Sequence, residues 1–180
     1  MNAVASQVPR VAGMPRAVDP RGFKQGMRAL AGAVAILATE DQEHGCCGLT
    51  ATAICSLSAE PPCLLVCLNQ KSSMAAIIRQ GTPFSINLPA HDQEHVARAF
   101  GGMTIAKGVA RFSAGSWVRG ESGAPRLVGA RAVFECLVDD VIARASHVIV
   151  IGLVLAVALD RESRDPLLYA DGRFATVRTA

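Results

Sequence analysis

The stretch from 69 to 78 reads NQKSSMAAII, and it sets one cation and two small hydroxyls, Lys71, Ser72 and Ser73, between an apolar strand-like run, CLLVCL (63–68), and an apolar helix-like run, MAAIIRQ. Two chemistries fit those residue types. Ser is a good helix N-cap and needs no ligand to be one. A Lys beside the free N–H groups of a helix start also offers charge-assisted hydrogen bonds to a phosphate.

Three further groups have the right types for a site. In GLTATAICSLSAEPP (48–62), Thr50, Thr52, Ser56 and Ser58 alternate with apolar residues, so an extended strand puts all four on one face. That face is either plain solvent-facing strand or a hydroxyl strip for a polar ring or a sugar alcohol. His147 stands at the start of an apolar strand in ARASHVIVIG, as an ordinary edge residue or as a site group. Tyr169 and Arg173 flank the tip of a hairpin in YADGRF, within reach of a neighbouring site, although a plain hairpin accounts for them as well. No G-x-S-x-G elbow, H-E-x-x-H helix, Walker-A loop or G-x-G-x-x-G turn is present, which argues against a serine nucleophile, a zinc protease and a Rossmann dinucleotide site. The six cysteines (46, 47, 55, 63, 67 and 136) lack a zinc spacing and read as reduced thiols used as small hydrophobes.

The elements that must position these groups are mostly strands. Runs 33–39, 47–58, 63–69, 83–89, 131–143 and 146–159 read as β, and Asp171-Gly172 between two short β-like runs signals a hairpin. Helices are expected at 22–32, at 72–80 and at 91–102, the last capped by Asp92 and stopped by Gly101-Gly102. Residues 103–127 are Gly-rich and irregular and hold the single Trp117, the profile of a functional loop or lid. Strands and helices do not alternate, so a β-barrel with peripheral helices is expected rather than a doubly wound sheet.

Composition narrows the class. The chain has 180 residues, enough for one domain, with 51% apolar and 18% charged residues, a balance that fits a thick barrel core or surface lost to a partner subunit. A net charge of +3 without basic runs gives no footprint for nucleic acid. The longest apolar run, VIVIGLVLAVAL (148–159), is too short for a membrane span. No targeting segment opens the chain, residues 1–21 read as a mobile N-terminal arm before a domain at 22–180, and a cytoplasmic location is expected.

Taken in order, FKQGMRALAGAVAILAT, GLTATAICSLSAEPPCLLVCLNQKSSM, FSINLPAHDQEHVARAFGG, SHVIVIG and PLLYADGRF resemble the flavin reductase-like family, over roughly residues 22–177. These are the short-chain, FMN-binding split-barrel NAD(P)H:flavin oxidoreductases, and the likeness is nearest to the reductase components of two-component aromatic monooxygenases. The resemblance implies a split barrel, hydride transfer from NADH or NADPH to FMN or FAD, a homodimer, and a separate oxygenase that receives reduced flavin. It implies a flavin ring and ribityl chain along Thr50, Ala51 and Thr52, with Ser56 facing the flavin. It also implies a phosphate-side loop at Asn69, Lys71, Ser72 and Ser73, Phe100 near the flavin, and His147 beside the nicotinamide. Tyr169 and Arg173 join the cofactor-binding set from the hairpin. The family usually has Gly two residues before that His; here it is Ala145, which adds a Cβ where the backbone needs freedom. A flavin- or haem-binding split barrel without turnover, a carrier or sensor, is the alternative on the same fold.

Overall fold

The computed structural model describes residues 18–43, 45–162 and 164–177, so most of the expected N-terminal arm lies outside the described residues. Helix α1 (Pro20–Arg28) begins earlier than expected because Asp19 accepts from the amides of Arg21 and Gly22 and Pro20 supplies a preset φ at the first turn. After β1 (Gly32–Ala33), five strands and one short helix build the body: β2 (Ala35–Asp41), β3 (Gly45–Ala51), β4 (Ile54–Ala59), β5 (Pro62–Asn69), α2 (Ser73–Ile77) and β6 (Pro83–Leu88). Helix α3 (Glu94–Phe100) follows a 3-10 turn, and the short pair β7 (Trp117–Arg119) and β8 (Pro125–Leu127) leads to two long strands, β9 (Ala132–Arg144) and β10 (His147–Leu159). The hairpin β11 (Leu168–Ala170) and β12 (Arg173–Ala175) closes the fold, with Asp171 and Gly172 both at positive φ (50° and 77°), as a type I′ turn requires.

The main sheet runs β3-β2-β6-β9-β10-β5-β4, and every pairing in it is antiparallel. Its two outer strands, β3 and β4, are neighbours in the chain. Laid flat, the edges of seven strands would lie about 29 Å apart, whereas the step from Ala51 to Ile54 spans at most about 11 Å. The sheet must therefore curl until its edges meet. The Cys67 amide donates to the Ala53 carbonyl at 3.0 Å, fixing the link against β5, while α2 fills the gap where β3 and β5 do not pair. This curled, incompletely closed sheet is a split barrel. The single strand expected over 47–58 is thus two, broken at Thr52-Ala53 by closure, and Thr50 no longer shares a strand face with Ser56 and Ser58.

Both faces of the sheet are covered. Leu37, Val66, Leu68, Phe84, Ile86, Val138 and Val150 fill the barrel, plugged by Met74 and Ile77 of α2. On the outside, Ile36, Val96, Phe100, Leu127, Val133 and Leu167 form a second core under α3. Ile36 and Leu37, adjacent on β2, are both fully buried, which is why that segment reads as a continuous apolar run rather than an alternating one. All six thiols are free. Cys47, Cys63 and Cys136 are buried as expected, but Cys46 and Cys67 are half-buried and Cys55 is exposed. The Cys136 thiol is pushed up to about 12 by burial first, with Cys63 and Glu135 adding to it.

Buried polar groups tie the short β7–β8 pair to the sheet. Asn87, fully buried, donates to the Ile36 carbonyl (3.0 Å) and accepts from the Leu127 amide (2.8 Å). Glu135, 3% exposed, accepts from the Ser122 amide at 2.7 Å and pairs with Arg126 at 3.3 Å. Burial alone would raise its carboxyl, but the Ser122 amide and hydroxyl together with Arg126 outweigh burial and hold it below the usual carboxylate range. Helix 91–102 is shorter than expected: Asp92 pairs with Arg164 (3.6 Å) instead of capping, and the Gln93 side chain accepts from the Ala90 amide.

Two consequences are testable. A carboxyl held low in the folded state adds stability that is present above its unfolded pKa, about 4.3, and lost as pH falls through the folded value. Glu135→Gln is expected to lose about 1–3 kcal/mol at pH 7, with the gap to wild type closing as the pH drops below about 4; urea titrations at both pH values check it. The β9–β10 turn places Ala145 at φ 51°, the left-handed region, while Ser146 stays at negative φ. Ala145→Gly is expected to gain about 1 kcal/mol, read as a rise in Tm of about 2–4 °C.

Candidate functional site

Strand β3 is an edge: it pairs with β2 alone, so every second residue of it leaves an N–H and a C=O without a strand partner. Over this edge lies a cleft of about 540 Å³, within the range of small-molecule sites, about 300–1,000 Å³. Its sides come from separate parts of the chain: Gly48 to Ala53 from β3 and the link, Cys67 to Asn69 with Lys71, Ser72 and Ser73 from β5 and α2, Phe100 to Gly102 from the end of α3, and then Arg111 and His147.

The β3 wall is fixed from both sides. The Thr50 hydroxyl donates to the Ala97 carbonyl of α3 at 2.8 Å, leaving its oxygen lone pairs as acceptors. A Cβ on Gly48 would lie 2.5 Å from the Leu37 carbonyl and 2.7 Å from the Phe100 ring, so only glycine lets α3 come this close. Phe100 is itself held by Phe112, edge-on with centroids 4.9 Å apart, and by Trp117 at 5.2 Å.

The opposite wall is a tight turn. The Asn69 side chain accepts from the Lys71 amide (2.9 Å), and its carbonyl accepts from the Ser72 amide (2.9 Å). Ser72 is the N-cap, accepting from the Ala75 amide at 3.2 Å, as its type predicts. Ser73 contacts Cys47 Sγ at 3.2 Å. Helix α2 is five residues long, not the nine expected, so its dipole adds little and the side chains carry the binding chemistry. His147 sits beside this turn because β10 pairs with β5 and matches His147 to Asn69. Its Nδ1 lies 2.9 Å from the Ser146 hydroxyl, and Gln70 donates to its carbonyl at 3.1 Å.

The sites expected from sequence divide clearly. Thr50, Ala51, Thr52, Asn69, Lys71, Ser72, Ser73, Phe100 and His147 converge on the cleft. Tyr169 lines an adjoining groove of about 420 Å³ that shares Thr52 and Ala53 with it. Ser56, exposed on β4, and Arg173, exposed on the hairpin, are not brought to the cleft. Arg111, Gly48, Gly101 and Gly102 also line the cleft; the sequence marks Gly101-Gly102 only as a helix stop, and tertiary packing alone brings the four together here. The lining contains Lys71 and Arg111 and no carboxylate. That donor set, an all-cationic cleft with free backbone edge, hydroxyls and side-chain-free glycines, fits a flat, polar, phosphorylated ring such as a flavin nucleotide.

Comparison with known proteins agrees. Residues 27–178 match the flavin reductase like domain. The chain is 40% identical over 163 residues to FMN reductase (NADH) RutF 1 of Methylorubrum extorquens, covering 91% of this chain and 79% of that one. It is 36% identical over 155 residues to the 4-hydroxyphenylacetate 3-monooxygenase reductase component of Escherichia coli, covering 86% and 90%. Among solved structures, NADH:FAD oxidoreductase SgcE6 of Streptomyces globisporus superposes with a TM-score of 0.79 at 28% identity, over 92% of this chain and 99% of that one. By fold, by cleft and by a match spanning most of its length, this chain belongs to the flavin reductase-like family.

Proposed function

We propose that this chain is an NAD(P)H-dependent flavin reductase that transfers a hydride from the nicotinamide to FMN or FAD and supplies the reduced flavin to a separate oxygenase. The observation that carries this is a cleft on the β3 edge that gathers Lys71, the paired serines and His147 in a chain of this family. A bound flavin supplies the hydride acceptor. The protein's part is to bind, orient and leave one ring face open.

The unpaired N–H and C=O groups of β3, with the Thr50 and Thr52 hydroxyls, match the donors and acceptors along the edge of a flavin ring and ribityl chain. Lys71 and the Ser73 hydroxyl suit the phosphate; Ser72 contributes by fixing the turn they stand on. His147 is exposed at the cleft margin, which supports a part in orienting the nicotinamide. No residue needs to act as acid or base, since proton and electron pair travel together as hydride.

Apolar surface supports a homodimer. On β10, Leu155, Val157 and Leu159 share one exposed face (53%, 51% and 73% exposed), and α1 buries none of its residues. Six free thiols suit a reducing compartment, the cytoplasm. Among the described residues no helix is long and apolar enough to cross a membrane.

Aerobic NADH or NADPH consumption with riboflavin, FMN or FAD tests the function. Turnover that requires flavin is expected; flavin binding without nicotinamide oxidation would instead make the chain a carrier. In the same assay His147→Ala is expected to lose about tenfold in kcat/KM, about 1.4 kcal/mol, with flavin affinity unchanged. The double variant Lys71→Ala, Ser73→Ala is expected to weaken FMN by about 1–3 kcal/mol and leave riboflavin, which lacks the phosphate, untouched. Fluorescence titration with both ligands reads it, and equal losses for the two would remove the phosphate assignment.

A further inference from the structure

Arg111 is the one cation of the cleft that the reading above leaves without a role. It stands on the 3-10 segment Gly108–Ala114, and its neighbour Phe112 anchors that segment against Phe100 and Trp117, each at 4.9 Å between ring centroids. The guanidinium spans the junction of β3 and α3. Its Nη1 makes two long contacts, to the Gly48 carbonyl (3.5 Å) and the Phe100 carbonyl (3.4 Å). Its Nη2 lies 3.7 Å from where a Cβ on Gly102 would stand, in space that glycine leaves open. Its Nε is buried with no hydrogen-bond partner. Trp117 Nε1 and Arg126 Nε share that condition among the described residues, but of the three only Arg111 belongs to the cleft lining. That Nε is therefore closed off from the open cleft, and what the cleft meets is the charge of the guanidinium rather than this N–H.

The charge of the cleft favours a ligand of one sign. A guanidinium stays protonated at any pH the protein meets, and no carboxylate in the lining offsets it. In hydride transfer the nicotinamide loses two electrons and a proton and becomes a cation; the flavin ring gains them and carries one more negative charge than before. A fixed cation near the ring therefore favours the product form over the oxidised form.

We propose that Arg111 makes the cleft hold reduced flavin more tightly than oxidised flavin, by offering a permanent charge to a ring that has become anionic. This rests on the reductase reading. It assigns Arg111 a part distinct from phosphate binding, because the phosphate carries its charge in both redox states and cannot discriminate between them. By linkage, a tenfold preference between the two forms is about 30 mV in the potential of the bound flavin.

The test is the affinity of wild type, Arg111→Met and Arg111→Lys for oxidised FMN by fluorescence, and for dithionite-reduced FMN by anaerobic equilibrium ultrafiltration, with the midpoint potential of bound FMN by spectroelectrochemistry. In Arg111→Met the reduced form is expected to weaken by about tenfold and the oxidised form by less than about threefold, so that the bound potential falls by roughly 15–30 mV. Arg111→Lys is expected to recover most of the difference. A purely structural part, through the Gly48 and Phe100 carbonyls, would weaken both forms equally and leave the potential unchanged, and that result overturns the proposal. Should Arg111→Met fail to fold, Arg111→Gln, which keeps amide donors and loses only the charge, carries the same comparison. Wild type that binds neither form of FMN or FAD overturns the reductase reading itself; wild type that binds both, with no redox difference in the variants, overturns this inference alone.

Discussion

Two residues, Thr52 and Ala53, carry the chain from one edge of a seven-stranded sheet to the other, and the rest of the molecule follows from that short step. It forces the sheet to curl, and it leaves β3 with one free side at the place where the curl ends. The same closure brings the end of β5, the start of α2 and the first residue of β10 around that free side. A cleft lined by residues from five parts of the chain is therefore not assembled piecemeal; it is the seam of the barrel. A longer link would relax the curl and open the seam, and a β-partner for β3 would consume the backbone groups that make it a binding edge.

Around the seam, small residues and aromatic ones divide the work. Glycine at 48 admits the Phe100 ring against the β3 backbone, and the ring is backed in turn by Phe112 and Trp117. Such rings contribute beyond the area they bury, about 0.5–1.5 kcal/mol per well-placed pair. The trio thus stiffens a glycine-rich stretch, which explains how residues 103–127, with only a 3-10 segment and the short β7–β8 pair, hold a cleft side chain in place. The Asn87 and Glu135 networks do the same for β7 and β8, from the outward-facing side of β6 and β9.

Much of this was legible in the sequence where local chemistry decides. The apolar β5 run, the Asp171-Gly172 turn, the Gly101-Gly102 stop and the Ser72 cap all stand where their residue types put them, and the motif order named the family. What was not legible depends on closure. Nothing in TATAICSLS announces a break at Thr52, because both halves have strand chemistry and only the curl separates them. Helix α2 stops early because Ile77 and Ile78 turn into the barrel core rather than continue an exposed face. Asp92 has the type of a cap but is drawn to Arg164, distant in sequence. Arg111 is one basic residue on a 3-10 segment, and it reaches the cleft only because Phe112 packs against Phe100 and Trp117.

The plug formed by Met74 and Ile77 has a kinetic consequence. Both side chains are set in the barrel core, so the turn that carries Lys71 and Ser73 is anchored by the same contacts that stabilise the whole domain. Its shape is maintained by folding and not by whatever occupies the cleft. A ligand then meets a wall already in its bound geometry, pays little ordering entropy on arrival, and leaves without waiting for a segment to unfold.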